Sequence, residues 1–133
     1  MNSLIEKIDN TIQRNKLQWE RNGRSVTVQI CDDGRKQRVR FKKGKNMYTF
    51  YSIIHKGRLI KGKMLRREIA YRAWRKNDMK DLVTFAFDGK DNLIGVIEQP
   101  ALTLDHEELK LYIETLAREC DRFEYILTGE DVE

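Results

Sequence analysis

Two histidines, His55 and His106, are the residues best suited to proton transfer at neutral pH, and neither lies in a catalytic motif such as HExxH. His106 is predicted in the first turn of a helix, with its ring solvated. Glu107 and Glu108 point to different sides of that helix and match the positive end of its dipole, so they are expected to stabilise it. No GxSxG, Walker or GxGxxG motif is present. The sequence therefore predicts a protein that is not an enzyme.

Two cysteines, Cys31 and Cys120, are the remaining candidates for nucleophilic or metal chemistry. They lie far apart, and no CxxC or Cys/His spacing suited to zinc is present. We interpret them as two buried thiols of a protein in the reducing cytoplasm. No metal and no cofactor are expected.

A run of cations is the sharpest local signal, because seven of the eleven residues from Arg35 to Lys45 are basic. Side chains alternate along a strand, so four of the cations share one face about 6 to 7 Å apart, near the spacing of nucleic-acid phosphates. We call the following set the basic strip: Lys36, Arg38, Arg40, Lys42, Lys43 and Lys45. The basic strip is predicted either to bind a polyanion or an acidic partner, or to be a solvated strand face whose charge prevents aggregation. The nearby aromatics Tyr48, Phe50 and Tyr51 either stack on bases or belong to the core.

The elements that position these residues can be predicted from periodicity and turns. Ser3 with Glu6 forms a capping box, and apolar residues at helical spacing extend the helix to Asn15. A hairpin turns at Asn22-Gly23, and further turns are expected at Asp32-Asp33-Gly34 and after Lys43. The alternating segments between these turns are Leu17 to Trp19, Val26 to Ile30, Val39 to Phe41 and Met47 to Ile54. They predict a meander of three or four antiparallel strands.

The second half continues with a helix, a hairpin and a helix. The segment Lys63 to Lys76 contains strong helix formers and ends at Asn77-Asp78. Strands Leu82 to Phe87 and Leu93 to Glu98 follow, and Asp105 is the N-cap of a third helix with Glu108 at its third position. The predicted fold is α+β, an antiparallel sheet with helices packed on it, in the order α-β-β-β(β)-α-β-β-α.

The second helix has two apolar sides. At 100° per residue, Leu65, Ile69 and Ala73 fall on one side, which is expected to cover the sheet. The other side carries aromatic residues beside an arginine, the composition of a protein interface. We call it the α2 outer face: Met64, Arg67, Tyr71 and Trp74. It predicts self-association, unless Trp74 merely packs under a local loop.

Length and charge set the wider limits. The 133 residues predict one domain, 1–133, and 35% charged residues predict a heavily ionised surface. No apolar run approaches the ~20 residues of a membrane span, so the protein is expected to be soluble, cytoplasmic and without a membrane partner. The net charge of +5 hides an asymmetry: residues 1–80 carry 22 Lys and Arg against 7 Asp and Glu, and residues 81–133 carry 4 against 14. The basic strip therefore faces either an acidic partner or the acidic half of the chain.

The second half resembles a known family. The segments that carry the resemblance are Ala73-Trp74-Arg75-Lys76-Asn77, Val83 to Asp88, Leu93 to Ile97, Leu104 to Leu109 and Ala117 to Arg122. They are similar to the YbjN-type, type III secretion chaperone-like proteins, clearly over Lys63 to Leu127 and only in topology before that. The resemblance implies a small cytoplasmic homodimer without cofactor or active site, with the helix Met64 to Trp74 at the dimer interface. It also implies binding of a segment of a client protein. Those chaperones tend to be acidic, whereas the first eighty residues here are basic.

Two functions remain open. The first is a homodimeric, chaperone-like module that holds an extended client on apolar surface, with backbone pairing along a sheet edge. The second is a nucleic-acid-binding module, because the first 77 residues approximate the α-β-β-β-α order of double-stranded-RNA-binding domains. Four cations then cluster at the start of the second helix: Lys61, Lys63, Arg66 and Arg67.

Overall fold

The computed structural model describes residues 2–30, 35–60, 62–78, 82–101 and 104–128. Within these ranges the elements are α1 (Asn2–Asn15), β1 (Trp19–Asn22), β2 (Ser25–Gln29), β3 (Lys36–Lys43), β4 (Met47–His55), a short 3-10 helix (Gly57–Leu59), α2 (Lys63–Asp78), β5 (Thr84–Phe87), β6 (Leu93–Pro100) and α3 (His106–Thr128). The predicted α+β order is confirmed, with the optional fourth strand present. None of the helices in these ranges combines the length and apolarity that a membrane span requires.

All six strands form one antiparallel sheet in the order β1-β2-β3-β4-β6-β5. The first four are neighbours in sequence and in space, because short turns connect them. The connection through α2 then carries the chain past β4 to the far edge, and β6 returns to pair with β4. The edges of the sheet are therefore β1 and β5.

One face of the sheet carries the core. Strand residues alternate between buried and open positions, most regularly in β3 and β4. The buried face packs against α3, and α1 packs on α3 and β1. The largest fully buried side chains of the core that the sheet and α3 form include Phe41, Phe50, Phe123, Leu93, Ile97, Leu109 and Leu116.

The opposite side of the sheet, which we call the outer face, has no buried side chain among its central residues. Those residues are Ser25, Thr27, Arg38, Arg40, Lys42, Thr49, Tyr51, Ile53, Thr84, Ala86, Ile94 and Val96. The helices of the described ranges pack on the buried side instead.

Two predicted turn and cap assignments were wrong. Helix α1 begins at Asn2, so Ser3 is a helical residue whose hydroxyl lies 3.4 Å from that of Tyr48, and it is not the N-cap. In the first hairpin, Asn22 is the last strand residue and pairs with Ser25, so the loop is Gly23-Arg24. Only Gly23 needs the positive φ of 63°, which glycine adopts without steric cost. The predicted turn Asp32-Asp33-Gly34 lies outside the described residues.

The bounds of other strands also differ from the predicted ones. Leu17 precedes β1, and β5 begins at Thr84, with Leu82 and Val83 in its approach. Strand β6 extends two residues beyond Glu98, because Gln99 and Pro100 pair with Tyr48 and Met47.

The cap of α3 is confirmed. Asp105 Oδ1 accepts a hydrogen bond from the Glu108 amide at 2.8 Å, and Glu108 Oε1 accepts one from the Asp105 amide at 3.4 Å. This reciprocal pair satisfies two amide groups that the first turn leaves without helical partners. Leu104 and Leu109 are both buried beside the cap. The start of α3 is therefore specified locally.

Glycine 95 lets α3 approach the sheet. A Cβ at this position would overlap the sulfur of Cys120 and lie 3.2 Å from Cγ1 of Val83. Burial raises the pKa of the Cys120 thiol well above its ordinary range, so the thiol stays protonated and acts as a small apolar group. Cys31, the other predicted buried thiol, lies outside the described residues.

Candidate functional site

The α2 outer face is open to solvent. Met64 is 86% exposed, Tyr71 55% and Trp74 60%, and the rings of Tyr71 and Trp74 stack with centroids 6.2 Å apart. Arg67 on the same face is also exposed. The helix thus presents an aromatic surface that its own chain leaves uncovered, so Trp74 does not pack under a local loop.

The inner side of α2 is narrower than predicted. Ile69 and Ala73 are buried against the sheet, but Leu65 is 41% exposed. Helix α2 rests on the short edge strand β5, and its buried side chains among the described residues are those of Ile69 and Ala73. The expectation that Leu65 packs on the sheet was wrong.

Side-chain contacts hold α2 on this edge. Asn77 Nδ2 donates to the carbonyl of Phe85, and Asn77 Oδ1 accepts from the amide of Phe85, both at 2.8 Å. One side-chain amide therefore takes the place of a neighbouring strand at the middle of β5. The Lys76 ammonium lies 5.0 Å from the ring centroid of Phe123. Sequence reasoning missed Asn77, since its partner is a main-chain group that lies beyond the helix.

One of the four cations predicted to bind nucleic acid, Arg66, instead contacts other residues of the same chain. Arg66 lies 3.1 Å from a carboxylate oxygen of Asp91 and 4.3 Å from the ring centroid of Phe87. Lys63 and Arg67 are exposed, and Lys61 lies outside the described residues. Four strands separate α1 from α2, one more than in the α-β-β-β-α order of double-stranded-RNA-binding domains.

The basic strip has the predicted alternation. Lys36, Arg38, Arg40 and Lys42 are exposed on the outer face, and Gln37, Val39 and Phe41 between them are buried. Lys43 ends the strand on the buried side but is exposed there, and Lys45 is exposed in the turn to β4. Within the described ranges none of the six forms an ion pair.

The three aromatic residues near the basic strip differ in whether they belong to the core or are open to a ligand. Tyr48 and Phe50 are buried core residues. Tyr51 lies half-exposed on the outer face, directly opposite Arg40, with the Lys42 ammonium 5.6 Å from its ring centroid. The strip therefore has one aromatic neighbour suited to stacking.

The sheet opens beside the strip. Strand β3 pairs with β4 only over Arg40–Lys43, whereas it pairs with β2 from Lys36 to Arg40. In the first half of β3, before Arg40, side chains bridge β3 and β4 instead. Gln37 Nε2 donates to Ser52 Oγ at 2.6 Å, and Ser52 Oγ donates to the Arg38 carbonyl at 2.7 Å. A cleft follows this opening, and the cationic or titratable residues that line it are Arg38, Arg40, His55, Lys56 and Arg58, with Glu124 as the one acid.

Among the described residues, one ion pair joins the acidic third helix to the basic run of the same chain. Arg35 donates from Nε and a terminal nitrogen to Asp121, with a closest distance of 2.5 Å, and lies 4.5 Å over the Tyr125 ring. Asp121 is only 8% exposed. Burial and the charge of Asp121 raise the pKa of the neighbouring Glu124, although Arg35 opposes the shift. This contact does not involve the outer-face cations, which form no ion pair with the part of the chain that the structure describes.

His106 differs from its prediction. It is half-buried, and its Nδ1 lies 2.9 Å from Oγ1 of the buried Thr11. Because the Thr11 hydroxyl already donates its proton to the Lys7 carbonyl, the histidine nitrogen is the donor. The ring thus joins α1 to α3 and is only partly exposed to solvent.

Glu108 is committed to structure as well. Besides its place in the cap, it accepts from the Tyr112 hydroxyl at 3.2 Å, and burial together with this carboxylate raises the pKa of Tyr112. Across the described ranges no three His, Cys, Asp or Glu residues gather in an arrangement able to hold a metal ion.

Comparison with known proteins extends this picture. No protein-family model and no curated protein matches the sequence. Solved structures do match. One is a chain of the ExsC–ExsE complex, with a TM-score of 0.62, 12% identity and coverage of 95% of this chain and 94% of that one. Another is the heterodimeric ExoU–SpcU complex from the type III secretion system of Pseudomonas aeruginosa, with a TM-score of 0.61, 14% identity and coverage of 88% and 94%.

A third match is YbjN from E. coli, described as a putative transcription regulator, with a TM-score of 0.62 at 10% identity and coverage of 96% of this chain and 91% of that one. At such identities the likeness concerns the fold. The predicted resemblance is thereby confirmed: the chain has the fold shared by type III secretion chaperone-like proteins and YbjN.

Proposed function

We propose that this protein is a non-enzymatic, chaperone-like module that acts as a homodimer and holds a segment of a client protein. Two of the matched structures with this fold are complexes, ExsC with ExsE and ExoU with SpcU, which supports a protein partner. The client is unknown. The whole chain, 1–133, acts as one domain in this proposal, and its location is the cytoplasm.

The exposed α2 outer face carries the dimer proposal. Tyr71 and Trp74 stack on each other and are exposed, and Met64, two turns earlier in the same helix, is exposed as well. Aromatic residues with an arginine are the residues that most often dominate protein interfaces, and apolar patches are unfavourable in water. A second copy of the chain can cover this surface with its own α2 outer face, because in a twofold-symmetric interface the same patch of each subunit faces that of the other.

The dimer is tested by light scattering after size-exclusion chromatography. The wild-type chain is expected to elute with the mass of a dimer, and Trp74→Glu with that of a monomer, because the substitution places a charge in the apolar contact. Leu111→Glu is the matched control, since Leu111 is 54% exposed on α3, away from α2. A wild-type monomer at high concentration, or a dimeric Trp74→Glu variant, contradicts the proposal.

The holding function has a separate test. An array of unrelated peptides of about 15 residues should contain a subset that binds in the micromolar range, because extended segments dock on strands and apolar faces. If no peptide of the array is retained, the protein-binding proposal fails, whatever the oligomeric state.

Nucleic-acid binding is the alternative function. Lys36, Arg38, Arg40 and Lys42 favour it, because they are exposed and form no ion pair with the described residues. It predicts a shift with mixed RNA or DNA that weakens steeply with salt, by about a thousandfold between 50 and 200 mM for six or more phosphate contacts. The absence of any salt-sensitive shift removes this alternative.

A further inference from the structure

We infer that the outer face of the sheet is the client site, and that the client segment it takes is acidic at one end and aliphatic at the other. The inference rests on the proposed protein-binding function and adds the chemistry of the partner. Its basis is a face that changes from cationic to apolar across adjacent strands.

The apolar half of this face lies on β4 and β6. Tyr51 is directly opposite Val96, and Ile53 is directly opposite Ile94. All four side chains are half-exposed, although their neighbours along each strand are buried. A side chain of a bound segment that covered them would remove apolar surface from water, which is favourable by roughly 25 cal/mol per Å².

The cationic half lies next to it on β3 and β2. Arg38 and Arg40 line two adjacent depressions of the surface, the cleft between β3 and β4 and a second one shared with Arg24, Lys42 and Tyr51. The cleft has one carboxylate in its lining, Glu124, and among the described residues the second depression has none. Within the described residues Arg24, Arg38, Arg40 and Lys42 form no ion pair. Two arginines at the junction therefore have donors free for a partner's carboxylates, which arginine binds in a bidentate manner.

The two halves fit one short segment. Strands are about 4.8 Å apart, so the distance from β2 across β3 and β4 to β6 is about 14 Å, which four or five extended residues span. Such a segment would place carboxylates over Arg38 and Arg40 and aliphatic side chains over Ile94 and Val96. Because the cationic half and the apolar half are adjacent, charge pairing and the burial of apolar surface both stabilise the binding of the same segment.

A polypeptide fits this face better than a nucleic acid does. Stacking of bases needs several aromatic platforms, and Tyr51 is the single aromatic side chain among the described outer-face residues. Ile53, Ile94 and Val96 offer aliphatic surface, which complements aliphatic side chains. Glu20 and Glu98 also lie on this face, opposite Thr27 and Thr49, and would repel any anion, so the negative charge of a ligand must be confined to the region of Arg38 and Arg40. A nucleic acid carries a phosphate at every nucleotide, whereas a peptide can carry its acidic residues at one end.

The test measures fluorescence anisotropy of labelled peptides of about 12 residues. The probe peptide carries Glu residues in one half and Leu and Val residues in the other. Three comparison probes replace Glu by Lys, replace the aliphatic residues by Ser, or consist of a single-stranded oligonucleotide of similar length. The protein variants are Arg38→Glu/Arg40→Glu and Ile94→Ser, with circular dichroism to show that each folds.

The control variant is Arg14→Glu/Arg122→Glu, which changes the net charge equally at exposed helical positions that do not line this face. The probe peptide is expected to bind the wild-type chain and the control alike, and to lose at least about tenfold in affinity with Arg38→Glu/Arg40→Glu. The Lys-substituted peptide should bind that double variant better than it binds wild type. Ile94→Ser should weaken the probe but not change its salt dependence.

The outcomes separate the two proposals. If peptides bind equally with Glu or Lys, or if Arg38→Glu/Arg40→Glu binds the probe as wild type does, the acidic-partner inference is overturned while protein binding stands. If no probe binds but the peptide array retains other peptides, the inference again fails alone. If the oligonucleotide binds this face more tightly than every peptide, both proposals are overturned in favour of nucleic acid.

Discussion

The absence of a side chain at Gly95 lets Cys120 of α3 come close to the sheet. A Cβ at position 95 would overlap the Cys120 sulfur and crowd Val83. We expect Gly95→Ala to lower the free energy of unfolding by about 1 to 3 kcal/mol, because the well-packed core must shift to admit the methyl group. Circular dichroism during urea unfolding, at one protein concentration, measures the loss.

The double variant Gly95→Ala/Cys120→Ala serves as the internal control. Removing the sulfur makes room for the new methyl group, so the double variant should be more stable than the sum of the two single losses predicts, by about 1 kcal/mol. Strict additivity of the two losses would show that the contact with Cys120 is not the cause.

Glu124 gives stability a defined pH dependence. Its pKa is raised in the folded chain by burial and by Asp121, so folding favours the protonated carboxyl. This contribution is present below the ordinary pKa of glutamate and is lost as the pH rises through the raised value. We expect Glu124→Gln to stabilise the protein at pH 7 by less than about 1 kcal/mol, since the half-buried group is partly screened.

The gain from Glu124→Gln should vanish near about pH 3, where glutamate is protonated in both states. Thermal unfolding at the two pH values measures it. Glu20→Gln is the control, because Glu20 is exposed on β1 and forms no ion pair within the described ranges. A gain that persists unchanged at the lower pH would rule out the charge of Glu124 as its origin.

At the scale of elements, one side chain links α2 to the edge strand. Asn77→Ala removes both hydrogen bonds to the main chain of Phe85. We expect a loss of about 1 to 2 kcal/mol, which the higher helix propensity of alanine reduces slightly. Hydrogen exchange of the Phe85 amide should become faster. Asp78→Ala, at the exposed next position, should leave that exchange unchanged, and equal protection in both variants would contradict the role of Asn77.

Local patterns predicted the elements well but not their ends. The capping box at Asp105, the glycine turn before Ser25 and the alternation of β3 all follow from a few adjacent residues. The exposure of Leu65 and the bonds of Asn77 depend on where β5 ends relative to α2. That relation is a contact between two different elements, and helical periodicity carries no information about it.

At the scale of the whole molecule, the two proposed surfaces lie on different elements. The α2 outer face flanks the β5 edge, while the basic strip lies on β3, three strands away in the sheet. A dimer formed through the α2 outer face would therefore leave the outer face of the sheet available to a client. If the dimer forms as proposed, its unfolding temperature should rise with protein concentration, and that of Trp74→Glu should not.

By itself, the sequence determined the α+β class, the order of the elements and the two unusual surfaces, because periodicity and turn residues act over short distances. Only the tertiary structure decided that β6 enters between β4 and β5, that β3 and β4 are apart before Arg40, and that Arg35 meets Asp121. Each of these results depends on which distant strand or helix becomes a neighbour. Long-range packing sets that choice, since the local pattern specifies which side of an element is buried but not what buries it.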